Sequence, residues 1–481
     1  MTCSGLFWRL IAVGAIGGCA VPGPEVVLPD LGLTAADRFA TTGAPGSAGD
    51  PASSPEASAW WRQFDDPALA EWVERALAAN PDIAIARERL LRAQAGLTLA
   101  GAARYPLVSG QIGTVADAGS TLAGSASERQ PRAVIGADWA PDLWGARRQA
   151  ERSAAATVLR ERDLVRGTRL AIAATTARAV IEWREAVADL ALLASFEAVQ
   201  RDALRVVQAR VDAGLSPKLD ASRAMAEISA TRAEAAVARI RARQANHALQ
   251  FLAGDRVATP ALAGESAAIP ALAGGLPAAL PIDLMRLRPD LLAAEHAALA
   301  AAADVGIARA ELLPTLQLRG TLALASGAAV FDRVNASISA LLDMVLFDGG
   351  ARRARIRISE SLLREALDIY RRTLLDALRQ VEDAWVARTG VSAQIRELND
   401  SLKAADTAVE QARALYTAGL NGFLDVLDAR RTALRQRREL ARANANAARQ
   451  DVAIFEAMGI MPLDDERTAV IDARAARTDG L

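Results

Sequence analysis

Proline is missing from two very long tracts of this chain, between Pro141 and Pro217 and again between Pro314 and Pro462. Both tracts are rich in alanine, leucine, arginine and glutamate, which favour helix, and no pyrrolidine ring interrupts the backbone hydrogen bonding. The run from Arg147 to Val211 alone holds 65 residues, and as one helix it would span about 100 Å. Propensity does not stabilise a rod of that length; it must pack against partners along its whole extent. Composition agrees with rods over a thick globule. Of 481 residues, 52% are hydrophobic but only 4% are aromatic, and alanine, which supplies much of the apolar share, buries little surface.

The chain also resembles itself. The segment "NPDIAIARERLLRAQAGLTLAGAARYP" ending at Pro106 aligns with "RPDLLAAEHAALAAAADVGIARAELLP" ending at Pro314, an offset of 314 − 106 = 208. "GARR" at Gly145 to Arg148 recurs at Gly350 to Arg353, and "AGL" at Ala213 to Leu215 recurs at Ala418 to Leu420, both at 205. Leu219-Asp220 matches Leu424-Asp425 at the same 205. The helical stretches thus keep one length in both halves, as rods in register must, and the three-residue difference falls in the segments before each "GARR". Those segments hold four strand-like windows of alternating apolar and small or polar residues: "LVSGQIGTVADAG", "RAVIGADWAPDLW", "TLQLRGTLALASG" and "SISALLDMVLF". The resulting partition is 1–18, a signal peptide; 19–66, an extended segment; 67–253, a first repeat with its β-hairpin at about 106–144; 254–281, a Pro/Gly/Ala linker; 282–462, a second repeat with its hairpin at about 314–347; and 463–481, a tail.

The opening "MTCSGLFWRLIAVGAIGGCA" has the layout of a secretory signal, with Arg9, an apolar run and small residues before Cys19. "IGGC" resembles a bacterial lipobox, which implies cleavage before Cys19 and a diacylglycerol on its sulfur; an ordinary signal with an incidental cysteine is the alternative. The only other cysteine is Cys3, so the mature body holds neither a disulfide framework nor a cysteine metal site. Past the signal no apolar run of about 18 residues is free of charge, so a membrane crossing would have to use strands closed into a barrel. Two hairpins cannot close one, and several chains would be needed. A formal charge of -1 offers no basic field to nucleic acid. His247 and His296 stand isolated in alanine-rich helical context, without metal-ligand spacing or a triad-like neighbourhood, so neither a cofactor nor an enzyme site is expected.

Six stretches in order carry a family resemblance: "WWRQFDDPAL" from Trp60, "DLWGARR" from Asp142, "LMRLRPDLLAAE" from Leu284, "GIARAELLPTLQL" from Gly306, "LFDGGARR" from Leu346 and "YTAGLNGFLDVLDARR" from Tyr416. From Cys19 to about Pro462 the chain resembles the TolC-like outer-membrane channels of tripartite efflux pumps, in the lipoprotein branch that works with resistance-nodulation-division (RND) transporters. The resemblance implies an α+β membrane protein. Its trimeric outer-membrane β-barrel, with four strands per subunit, continues into a long periplasmic α-helical barrel with a small equatorial domain. It also implies a homotrimer, a periplasmic membrane-fusion adaptor, an inner-membrane RND transporter as energy source, and contact with outer-membrane lipid. A related duct for type I protein secretion or metal-ion export is the alternative.

By motif position Tyr416, Asp425 and Asp428 match the family's periplasmic gate residues, and Asp220 matches the corresponding acid on the neighbouring hairpin. Asn421 stands where one branch has an arginine, so the family's Arg-Asp pair is not reproduced there, and apolar narrowing at Leu420 or Phe423 is expected instead. Asp425 and Asp428 lie about one helical turn apart and can share a face. Asp425 also fits a first-turn acid that favours its helix dipole. Gly214 and Gly419 read as the turns ending the long helices, in C-cap roles, and Arg430 and Arg431 as a solvated or salt-bridged face.

Overall fold

The structure is a computed structural model that describes residues 21–29, 59–121, 124–256, 268–273, 276, 284–325 and 333–461. The signal peptide, Cys19, most of the 19–66 segment, most of the linker and the C-terminal tail lie outside the described residues. After a 3₁₀ turn at Trp60–Gln63 come α1 (Pro67–Ala79), α2 (Pro81–Ala102), β1 (Leu107–Thr121), β2 (Gly124–Trp139), α3 (Ala146–Asp212) and α4 (Lys218–Leu252). The second half follows with the short α5 (Leu284–Leu287), then α6 (Pro289–Ala310), β3 (Thr315–Ala325), β4 (Arg333–Asp343), α7 (Ala351–Thr417) and α8 (Phe423–Ala457). The repeat is kept to the residue: α3 and α7 are both 67 residues long, and α4 and α8 both 35. Likewise α2 and α6 are both 22 residues, each opened by a proline, where the missing N–H costs the helix nothing.

The described chain forms two compact units. One comprises residues 21–29, 88–163 and 292–373, and it contains the sheet. Its four strands are antiparallel in the order β1-β2-β3-β4, leaving β1 and β4 as edges. The register sorts the side chains. Leu316 pairs with Leu342, Leu318 with Ala340, Gly320 with Ile338, Leu322 with Ala336 and Leu324 with Val334, while Trp139 faces Leu318 and Ile135 faces Leu322. Val108 and Ile112 join the same row through Ala137 and Ala133. The opposite face carries Gln317, Arg319, Thr321, Asn335, Ser337 and Ser339, with Arg319 Nε donating to Asp138 Oδ1 at 2.5 Å. An apolar row that leaves Ile338 92% exposed is a surface built for something other than water.

The strand windows need adjustment. β2 begins at Gly124, before "RAVIGADW", because the β1 pairing runs on through a polar stretch with no alternation to betray it. It ends at Trp139, so "APDLW" lies outside it; β4 likewise starts at Arg333 and excludes "MVLF". Each half then enters its long helix through an aspartate and a left-handed glycine. Asp142 accepts the backbone N–H groups of Arg147 and Arg148 at 3.1 and 2.9 Å, and Asp348 those of Gly350 and Arg352 at 2.9 and 3.1 Å. The bonds from Arg352 and Gly350 hold the Asp348 carboxyl below its usual range. Gly145 and Gly350, at φ +83° and +91°, supply the bend.

His296 is not isolated. Its Nδ1 lies 2.8 Å from Oδ2 of the fully buried Asp163, 133 positions earlier, a partner that spacing along the chain could not reveal. Among the described residues no group of three or more His, Cys, Asp or Glu is arranged to hold a metal ion. One described helix, α6, is long and apolar enough by length and composition to cross a membrane, yet 56% of its most apolar stretch is buried inside the protein.

The other unit comprises residues 59–87, 164–291 and 374–461. Trp60, fully buried, stacks on Phe455 at 5.3 Å between ring centroids. Asp66 caps α1, accepting from the N–H groups of Ala68 and Leu69. Residues 271–273 of the linker pair with 63–65, through Asp65 N–H to Ala271 O and Ala273 N–H to Gln63 O, both at 2.9 Å. In the same unit arginines tie the two helical hairpins together. Arg431 of α8 donates to Glu227 of α4 at 2.8 Å, and seven residues on Arg438 bonds Glu234 of α4 and Asp189 of α3. A seven-residue step is two helical turns, so the links recur on one seam.

Candidate functional site

The ends of the two hairpins carry the residues singled out in the sequence. α3 closes with Leu215 N–H donating to Arg210 O at 2.7 Å, and α7 with Leu420 N–H donating to Leu415 O at 2.9 Å. These six-to-one bonds are Schellman turns, which require a left-handed residue. Gly214 and Gly419 provide it, both at φ +72°, and space around each is open, so conformation rather than crowding demands glycine. Pro217 and Gly422 then start α4 and α8 in extended backbone. Asp220 and Asp425 occupy equivalent first-turn positions, where the helix dipole favours an acid.

Beneath the turns the hairpins share a small apolar core of Val207, Ala221, Ala224, Phe423 and Leu427, with Ala203, Leu204, Val211 and Tyr416 packed against it. The Tyr416 and Phe423 rings lie 5.7 Å apart and tilted by 53°. Leu420, 75% exposed, stays outside this core. Asp425 and Asp428 both face solvent, Asp220 is half-buried, and none of the three has an ion-pair partner among the described residues. The structure therefore brings Tyr416 and Phe423 together in the core and leaves Leu420, Asp425 and Asp428 at the surface.

Two neighbours went unassigned in the sequence. Arg210, in the last turn of α3, places its guanidinium 4.8 Å over the Tyr416 ring. Glu227 pairs with Arg431, whereas Arg430 is half-buried and pushed below its ordinary value, first by burial and then by the charge of Arg413. No sequence signal marks Arg210: the ring it covers lies 206 positions away, and the equivalent position of the second hairpin holds Leu415.

This architecture has known counterparts. Residues 72–255 and 280–460 match the family of outer membrane efflux proteins. The match takes in both repeats and most of the chain, and the protein belongs to that family. The solvent efflux pump outer membrane protein SrpC of Pseudomonas putida is 27% identical over 465 residues, covering 94% of this chain and 97% of that protein. The cation efflux system protein CusC of Escherichia coli K12 is 25% identical over 407 residues, covering 84% and 89%. Among solved structures, the CmeC outer membrane channel of Campylobacter jejuni superposes with a TM-score of 0.84 over 94% of this chain and 98% of its own, at 19% identity, which is a likeness of fold.

Proposed function

We propose that three copies of this chain form the outer-membrane exit duct of a tripartite efflux system. The observation that carries the reading is the sheet: four antiparallel strands with one apolar row, exposed at Val108, Ile112, Ile135, Ile338 and Leu342, and two open edges, each β-hairpin leading directly into a 67-residue helix. Such a sheet is stable in lipid only when closed. Three copies of four strands give twelve, with the apolar row turned to lipid and the Arg319 and Ser337 face turned to the lumen. The helices α3, α4, α7 and α8 supply the periplasmic wall. A periplasmic adaptor connects the duct to an inner-membrane RND transporter, which provides the energy; the duct itself is passive and performs no catalysis. Cys19 carries the lipid that anchors the N-terminus, with affinity set by its buried CH₂ groups.

Tyr416, Leu420, Phe423, Asp425, Asp428 and Asp220 form the periplasmic gate in this reading. A three-fold assembly repeats Asp425 and Asp428 as rings, and rings of carboxylates favour cations. The test is purification from outer membranes in detergent, with trimer mass and single-channel conductance measured, followed by Asp425→Ala with Asp428→Ala. The pair should raise conductance or shift cation selectivity; a soluble monomer without conductance sinks the duct reading. The likeness to CusC favours a second reading, cation export, for which deletion would sensitise cells to metal salts rather than to organic compounds.

A further inference from the structure

The gate reading leaves a mechanical question at the hairpin ends, since the carboxylates of Asp425 and Asp428 have no ion-pair partner among the described residues and Asn421 offers no charge. Arg210 and Tyr416 answer it. Arg210 belongs to the first hairpin and Tyr416 to the second, and the guanidinium lies 4.8 Å from the ring centroid while the ring leans on Phe423 at 5.7 Å. The pair has no internal duplicate: at the 205 offset Arg210 corresponds to Leu415, and Tyr416 to Val211. It is a feature of the junction between repeats.

The polar atoms show how the contact is made. Tyr416 Oη and Arg210 Nε are both shut off from solvent, and neither has a hydrogen-bond partner among the described residues. Tyr416 is therefore held by its face and its apolar bed, not by its hydroxyl, and Arg210 is held by a ring rather than by a carboxylate. A guanidinium over an aromatic face is an attractive contact, and here it is half-buried. Among the described residues the next polar link between the hairpins is Arg431 to Glu227, eight residues beyond Phe423.

We propose that Arg210 and Tyr416 form a cation–π latch that pins the end of the second helical hairpin to the first and keeps the entrance narrow. Resting on the gate reading, this assigns Arg210 as a positioning residue for the aspartates carried by α8. The chemistry suits a part that must open. Sliding a guanidinium off a ring strands no buried carboxylate, whereas parting a buried ion pair leaves two uncompensated charges.

The test is conductance of the purified full-length trimer in planar bilayers, with thermal stability and trimer retention on gels as controls. Tyr416→Phe keeps the ring and should conduct like the parent. Tyr416→Leu and Arg210→Gln should each raise conductance severalfold, and the double variant should exceed neither single one, because both remove the same contact. Arg210→Lys should fall between parent and Arg210→Gln. If Tyr416→Phe raises conductance as much as Tyr416→Leu, a hydroxyl bond to another copy holds the end, and the latch is wrong. Additive effects in the double variant also overturn it. Unchanged conductance in Tyr416→Leu and Arg210→Gln, with a change in Asp425→Ala/Asp428→Ala, removes the latch and leaves the gate; no change in any variant removes both. Should Tyr416→Leu fail to assemble, the Arg210→Lys and Arg210→Gln comparison decides the question, since the ring and its bed are then intact.

Discussion

Gly214 and Gly419 lie 205 residues apart and share a φ of +72°, each ending a 67-residue helix that then turns back on itself. Any other L-residue held there pays for its Cβ with about 1–2 kcal/mol. Gly419→Ala should lower the thermal midpoint and admit protease to the hairpin end, and Gly419→Asn should do less harm because asparagine tolerates the left-handed region. Equal loss from both would show that conformation is not the constraint.

Asp66 does two jobs at once. It caps α1 and accepts Nε and Nη2 of Arg184 at 3.0 and 3.1 Å, with both side chains buried. Asp66→Ala removes a buried charged hydrogen-bond partner of Arg184 and uncaps a helix, so it should cost about 2–4 kcal/mol. Chemical denaturation of the detergent-solubilised protein should report this as a large fall in midpoint.

The strand register makes a face-by-face prediction. Ile338→Lys puts a charge on the apolar row and should cost about 2–4 kcal/mol at mid-membrane depth, lowering the amount of heat-resistant trimer in outer membranes. Ser339→Lys, one residue on, points to the polar face beside Arg319 and should assemble normally. A reversed outcome would mean that the faces have been exchanged.

Asp451 accepts from Arg388 Nε at 2.5 Å, yet burial raises its carboxyl above the usual range, with Arg388 pulling the other way. Its folded pKa therefore lies above the unfolded one. The folded state holds the proton more tightly, and this stabilising contribution is complete below the unfolded value and lost as pH rises through the folded one. Stability of the parent should decline with rising pH just above the ordinary carboxylate range, and Asp451→Asn should flatten that decline. An unaltered profile would exclude Asp451 as its source.

Helix placement was legible because its signals are local or repeated. Pro67, Pro81 and Pro289 open helices, Gly214, Gly254, Gly419 and Gly459 follow the ends of the long ones, and the 205 offset copies each boundary of α3 and α4 onto α7 and α8. The start of β2 was not legible, because residues 124–131 are held by pairing with β1 rather than by any pattern of their own. The aspartates proposed for the gate could be found through a motif, and Asp220 and Asp425 through the repeat. Arg210 could not, because the ring it covers is 206 positions away and its own copy of the motif holds valine at the tyrosine's place. Asp163 beside His296 escaped for the same reason, the contact being set by how α3 meets α6.

The equal lengths of α3 and α7, and of α4 and α8, impose a rule on insertions and deletions. One residue added to α3 turns everything after it by about 100° and advances it by about 1.5 Å. Val207 would leave the shared core, and Arg210 would miss the ring of Tyr416. Seven residues removed from each of the four helices would instead return every side chain to nearly its former heading. The helical wall can thus be shortened or lengthened only in steps that restore the helix heading, seven residues being the smallest, made in both repeats together, which gives an engineer a set of increments for matching the duct to adaptors of different reach.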